Sequence, residues 1–119
     1  MVDALDRMPV KHKELITDIA NKVYSEQEGI EVYLFGSYAR GRVRRTSDVD
    51  LLVLFIEDVT REELKHSRRR LTDVVEEHFN YEIEVDIKVY NKGDFNLSSN
   101  KLGFENEISK YKIRLNKEV

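Results

Sequence analysis

The sequence predicts a single α+β domain over residues 1–119, in the order α-β-β-α-β with a small mixed sheet and a further C-terminal helix. Three observations predict it. Two segments, about Lys11–Glu26 and Arg61–Phe79, carry apolar residues at helical spacing. Three others, Ile30–Phe35, Asp48–Phe55 and Tyr81–Tyr90, are short and rich in β-branched and aromatic residues. Finally, the length fits one domain, which buries roughly two thirds of its unfolded surface.

Each element has a local reason. Pro9 suits the first turn of a helix, and Leu15, Ile16, Ile19, Ala20, Val23 and Tyr24 form one stripe along it. Gly29 stops that helix, and IEVYLF follows as the first strand. Ser37–Gly41 reads as a short helical turn and Arg42–Ser47 as a polar loop. In the second strand Val49, Leu51, Val53 and Phe55 share one face, while Asp48, Asp50, Leu52 and Leu54 share the other. Apolar residues on both faces mark a central strand.

Thr60 and Glu63 form a Thr-x-x-Glu capping box that opens the next helix. That helix is a crossover, so the strands it joins are expected to be parallel; the first two, joined by a loop, are expected to be antiparallel. The helices are expected mainly on one face. Asn91–Asp94 (NKGD) reads as a turn, Ser99–Lys110 as a last helix, and Tyr111–Leu115 as a short edge strand. Met1–Met8 reads as a frayed or irregular start.

The totals exclude several classes. A net charge of −3 and a pI near 5.7 argue against direct nucleic-acid binding, despite the clusters Arg40/Arg42/Arg44/Arg45 and Arg68–Arg70. The absence of cysteine rules out disulfide staples and thiolate metal sites. The longest apolar run, Leu51–Ile56, is far short of a membrane span, and no secretory h-region is visible. A soluble cytoplasmic protein without membrane association is the expectation.

The chemistry concentrates in Gly36–Phe55, GSYARGRVRRTSDVDLLVLF. On a regular strand Asp48 and Asp50 stand on one face with Cα atoms ~6.6 Å apart. At that distance the two charges repel by ~0.6 kcal/mol in water and ~2.5 kcal/mol at an effective dielectric of 20. Aspartate is also disfavoured in strands, and a hard cation such as Mg²⁺ reverses the penalty. Asp86 offers a third carboxylate on the neighbouring strand, with Glu84 as its competitor. Three carboxylates are enough for a site of two ions. A bare Asp-x-Asp is otherwise a loop cap and a solvated strand residue.

At the other end of the stretch, Gly36 lets the backbone approach a phosphate, and the Ser37 hydroxyl and nearby N–H groups can donate to it. Gly36 and Gly41 have Walker A separation, but Arg42 and Val43 stand where Lys and Ser/Thr are required, which excludes a P-loop. Arg40 and Arg42 are placed to meet phosphate charge. Arg44 and Arg45 read as solvent or partner contacts. Tyr38 and Tyr90 offer rings for a base, with a core or rim role as the alternative.

The run L-F-G-S-Y-A-R-G followed by S-D-V-D-L-L-V resembles the signature of the DNA polymerase beta-like nucleotidyltransferase superfamily, in particular its minimal, antitoxin-type members. The resemblance covers the chain to about Phe95. It implies the nucleotidyltransferase fold and Mg²⁺-dependent transfer of a nucleoside monophosphate, AMP from ATP or a unit of another nucleoside triphosphate, to a hydroxyl. It further implies that Asp48, Asp50 and Asp86 hold two Mg²⁺ ions, and that Asp86 helps activate the acceptor. Gly36 and Ser37 would bind the β- and γ-phosphates. The implied partner is a HEPN-domain toxin, silenced by adenylylation of a tyrosine. The competing reading is a non-catalytic antitoxin that masks its partner and only binds nucleotide.

Overall fold

Burial on both faces of one strand dictates the architecture. The structure is a computed structural model that describes residues 8–43, 48–99 and 103–116. Arg44, Arg45 and Ser47 lie outside the described residues, as does Met1–Arg7. Helix α1 (Val10–Glu26) leads into β1 (Ile30–Phe35), the one-turn helix α2 (Gly36–Arg40) and β2 (Val49–Phe55). Then come α3 (Arg61–His78), β3 (Val85–Asn91), α4 (Lys92–Ser99), α5 (Phe104–Tyr111) and β4 (Ile113–Leu115).

The sheet runs β3-β2-β1-β4. As expected, β1 and β2 are antiparallel and β2 and β3 are parallel across the crossover helix; β4 lies at the edge and pairs antiparallel with β1. The Tyr24 hydroxyl fastens that edge: it donates to the Leu115 carbonyl at 2.6 Å and accepts from the Val32 N–H at 3.1 Å.

Val49, Leu51, Val53 and Phe55 pack with Ile16, Ile19 and Val23 of α1 and Leu71 and Val75 of α3. Leu52 and Leu54 pack the opposite way, with Phe35, Phe95 of α4 and Ile108 of α5. Helices therefore cover both faces, not mainly one. Leu52 and Leu54 are essentially inaccessible to water, and apolar area of that size must be covered.

The capping box is present in both directions: Glu63 N–H donates to Thr60 Oγ1 at 3.2 Å, and Thr60 N–H donates to Glu63 Oε2 at 3.0 Å. Several boundaries differ from expectation; the last strand, for one, starts at Ile113 and not at Tyr111, which ends α5. Asp48 precedes β2, because the ladder begins at Val49, whose N–H donates to the Glu84 carbonyl. The third strand starts at Val85, not Tyr81. Asn80 and Tyr81 take positive φ (55° and 62°) and close α3 with bonds from Tyr81 N–H to Glu76 O and from Asn80 N–H to Glu77 O. This is a Schellman stop with asparagine at its left-handed position.

The NKGD segment is not a turn but enters α4. Phe95 anchors that helix at 1% exposure, and the Asn91 side chain is drawn into a two-way hydrogen bond with the Val59 backbone. The last helix starts at Phe104, after Gly103 at φ 145°, and not at Ser99.

Candidate nucleotidyl-transfer site

The site is built where β1 ends and β2 and β3 begin. Phe35 is the register partner of Asp50, and Asp50 is the register partner of Asp86. Two carboxylates thus stand side by side on neighbouring strands, ~4.8 Å apart along the hydrogen-bonding direction. Uncompensated like charges in such a pair are destabilising. Gly36 follows Phe35 at once and turns the chain with φ +72°. A Cβ built on it would fall on Asp50 Oδ2 and stand 2.9 Å from Asp50 Cγ. The glycine is needed first to make room for a carboxylate.

Helix α2 ends as abruptly as it starts. Gly41 is left-handed at φ 70°, and Arg42 N–H donates to Ser37 O at 2.9 Å. This stop aims Arg40 toward α5, where its Nη2 donates to Glu107 Oε2 at 3.2 Å and its guanidinium lies 4.5 Å over the Tyr111 ring. The result is a cleft of about 490 Å³ between the sheet and α5. Gly36, Arg40, Asp50 and Asp86 line it, joined by Phe35, Lys88, Glu107, Ile108 and Tyr111.

Four of the seven sequence-predicted site residues therefore meet in one cleft. Ser37 is half-buried in α2 and is not on the cleft lining, and Arg42 is exposed beyond the helix stop. Asp48 is exposed at the mouth of β2, close enough for its charge to act on Asp50. Glu84 is exposed and off the lining. Tyr38 packs on His12 and the main core, and Tyr90 packs edge-on against Phe95, so both serve packing.

Sequence reasoning gave no role to Lys88, Glu107 or Tyr111. Lys88 carried a signal, since it alternates with Asp86 on one strand face. Glu107 and Tyr111 are one helical turn apart, a pair that gains meaning only when α5 docks.

The electrostatics are those of an acidic site short of cations. Burial pushes the Asp50 carboxyl up, the Asp86 and Asp48 charges push it further, and Lys88 offsets part of this, leaving it at about 6. Lys88 Nζ lies 3.4 Å from Asp86 Oδ2. Among the described residues no three His, Cys, Asp or Glu side chains form a ready metal cage. Mg²⁺ does not require one: it commonly takes one or two carboxylates and completes its shell with water and phosphate oxygens. The Asp50–Asp86 pair, all hard oxygen and raised in energy by its own repulsion, fits that ion.

The profile of the nucleotidyltransferase domain family matches residues 13–115. No match to a curated protein sequence was found. Among solved structures, a candidate nucleotidyltransferase from Sulfolobus solfataricus aligns with TM-score 0.59 at 23% identity, covering 99% of this chain and 91% of that one. A chain of a toxin-antitoxin complex with AMP-PNP aligns with TM-score 0.59 at 19% identity, covering 86% and 73%. A chain of the complex of tri-AMPylated Shewanella oneidensis HEPN toxin with MNT antitoxin aligns with TM-score 0.57 at 16% identity, covering 90% and 73%. At these identities the structural likeness speaks to the fold, whereas the family match runs from α1 to β4. The chain belongs to the nucleotidyltransferase domain family, and its reaction class is nucleotidyl transfer.

Proposed function

We propose that the chain transfers AMP from ATP to a hydroxyl of a protein partner, a tyrosine of a HEPN-type toxin, and so acts as an antitoxin in the cytoplasm. The observation that carries this reading is the Asp50–Asp86 register pair, set beneath Gly36 and facing Arg40 across one cleft. The toxin and AMP parts draw support from the folds it resembles, which include chains of complexes containing AMP-PNP or an AMPylated HEPN toxin. Among the described residues no helix is long and apolar enough to cross a membrane.

In this reading Asp50 and Asp86, with Asp48 at the mouth, hold two Mg²⁺ ions. When bound, these supply charge neutralisation and polarise the α-phosphoryl group. The Gly36–Ser37 turn and Arg40 bind the β- and γ-phosphates, and Arg42 adds positive charge from outside the cleft. The acceptor oxygen attacks the α-phosphorus, its proton passes to the Asp86 carboxylate, and the bond to the β-phosphate breaks to release pyrophosphate. Positioning and charge do most of the work, as in other phosphoryl transfers.

The test is transfer of label from the α-phosphate of ATP to a co-purified partner. Labelling is expected from the wild-type chain and is expected to vanish with Asp48→Asn plus Asp50→Asn. Unchanged labelling in that double variant would sink the proposal. Full neutralisation of the partner without any labelling would instead favour the masking role.

A further inference from the structure

The cation best placed to greet a nucleotide is already occupied. Arg40 donates to Glu107, 67 residues away in sequence, at 3.2 Å and stacks on Tyr111 of the same helix. Glu107 also lies 3.9 Å from Lys110, so its carboxylate draws two cations toward itself. At the other side of the cleft Lys88 leans on Asp86. Among the described residues, both cations that line the cleft are therefore paired with carboxylates of the chain itself.

Resting on the proposed reading of this cleft as the nucleotide site, we infer that Glu107 is an internal stand-in for the nucleotide's phosphates. Its carboxylate offers Arg40 two oxygens for a bidentate contact, as two oxygens of a tetrahedral phosphate also do. The triphosphate carries more charge and takes the guanidinium from it. Arg40 then leaves the Tyr111 ring, and α5 loses one of its ties to α2. Glu107 is thus a positioning residue that sets nucleotide affinity through Arg40, and α5 is the element that responds to nucleotide.

The pair is about half exposed, with side-chain exposures of 39% and 54%. Exposed pairs of this kind are weak, so the stand-in tunes affinity without blocking the cleft. A purely structural role, tying α5 to α2, makes the opposite forecast for binding, since a loosened helix gives a looser cleft.

The experiment is a thermodynamic cycle read by calorimetric binding of ATP in Mg²⁺ buffer, with thermal melts of every variant. Glu107→Gln is expected to tighten the ATP Kd about threefold, the scale of one exposed ion pair. Arg40→Ala is expected to weaken it. In the Arg40→Ala background Glu107→Gln is expected to do nothing, because the route runs through the guanidinium. A gain that persists without Arg40 would mean general relief of negative charge and overturn the stand-in. So would a Glu107→Gln variant that binds ATP no tighter than wild type. A wild-type chain that binds no ATP at all would overturn the nucleotide-site reading and this inference together; wild-type binding without the coupling removes only the inference.

Discussion

Gly36 and Asp50 interlock: residue 36 lacks a side chain where the Asp50 carboxylate lies. The turn that ends β1 and the acid that starts β2 are one structural unit, joined by the Phe35–Asp50 register pair. A residue noticed for its backbone freedom is held by the acid it shelters.

Gly36→Ala tests that unit. The left-handed φ of +72° costs an alanine about 1–2 kcal/mol. Its Cβ also displaces the Asp50 carboxylate, and displacement of a reacting group by ~1 Å can cost on the order of 100-fold in rate. The expected outcome is a lower urea midpoint and near-complete loss of nucleotidyl transfer. Wild-type transfer by this variant would refute the interlock.

Asp50→Asn separates stability from function. The folded Asp50 carboxyl is raised from 3.8 to about 6. Between those values the native state binds more protons than the unfolded state, so stability falls as pH rises through that window. The side chain is half exposed, so the effect at pH 7 is discounted to about 1 kcal/mol. In metal-free buffer the asparagine variant is expected to be more stable than wild type at pH 7 and to lack the decline between pH 4 and 6. It should also lose nucleotidyl transfer. Urea titrations at several pH values decide this, and a less stable variant at pH 7 would contradict the account.

Glu31 behaves with the opposite sign. It is buried on β1, and Lys92 of α4 donates to it at 2.7 Å, Tyr33 at 2.8 Å, while Arg114 of β4 lies 3.6 Å away. Burial pushes its carboxyl up, but the bonds from Lys92 and Tyr33 and the charges of Arg114 and Lys92 outweigh it, leaving it below the ordinary 4.5. Its stabilisation is full above that ordinary value and is lost as pH falls through the lower folded one. Lys92→Met should cost about 2 kcal/mol, because a buried carboxylate loses its closest cation. Arg114→Met should cost less. Glu31→Gln should flatten the acid limb of the stability profile. Equal losses from Lys92→Met and Arg114→Met would argue against the ranking by distance.

Much of this was legible in the residues. β1 was read to its exact ends because Ile30–Phe35 is bounded by two glycines, and α3 was entered correctly because Thr60 and Glu63 lie three apart. Asp50 could be named because Asp48-x-Asp50 sets two like charges on one strand face with nothing to offset them, and Asp86 because it is a carboxylate on the strand expected alongside. The errors share a cause. Tyr81–Glu84 alternated like a strand, but the local helix stop at Asn80 and Tyr81 claimed the backbone first. The NKGD segment looked like a turn because its helix has too few buried apolar residues, Phe95 chief among them, for a visible period.

By itself the sequence determined the reaction class, through its likeness to a family signature, and, through local spacing and residue chemistry, the Gly-Ser and Asp-x-Asp pattern and the strands that carry Asp50 and Asp86. Only the tertiary structure decided that Gly36 makes room for Asp50, that Lys88 leans on Asp86, and that α5 returns to hold Arg40 with Glu107 and Tyr111. Lys88 and Asp86 are neighbours on β3, whereas the contacts of Arg40 with Glu107 and Tyr111 join residues far apart in the chain. They exist because the apolar second face of β2 must be covered, and the helix that helps cover it brings its own carboxylate to the cleft.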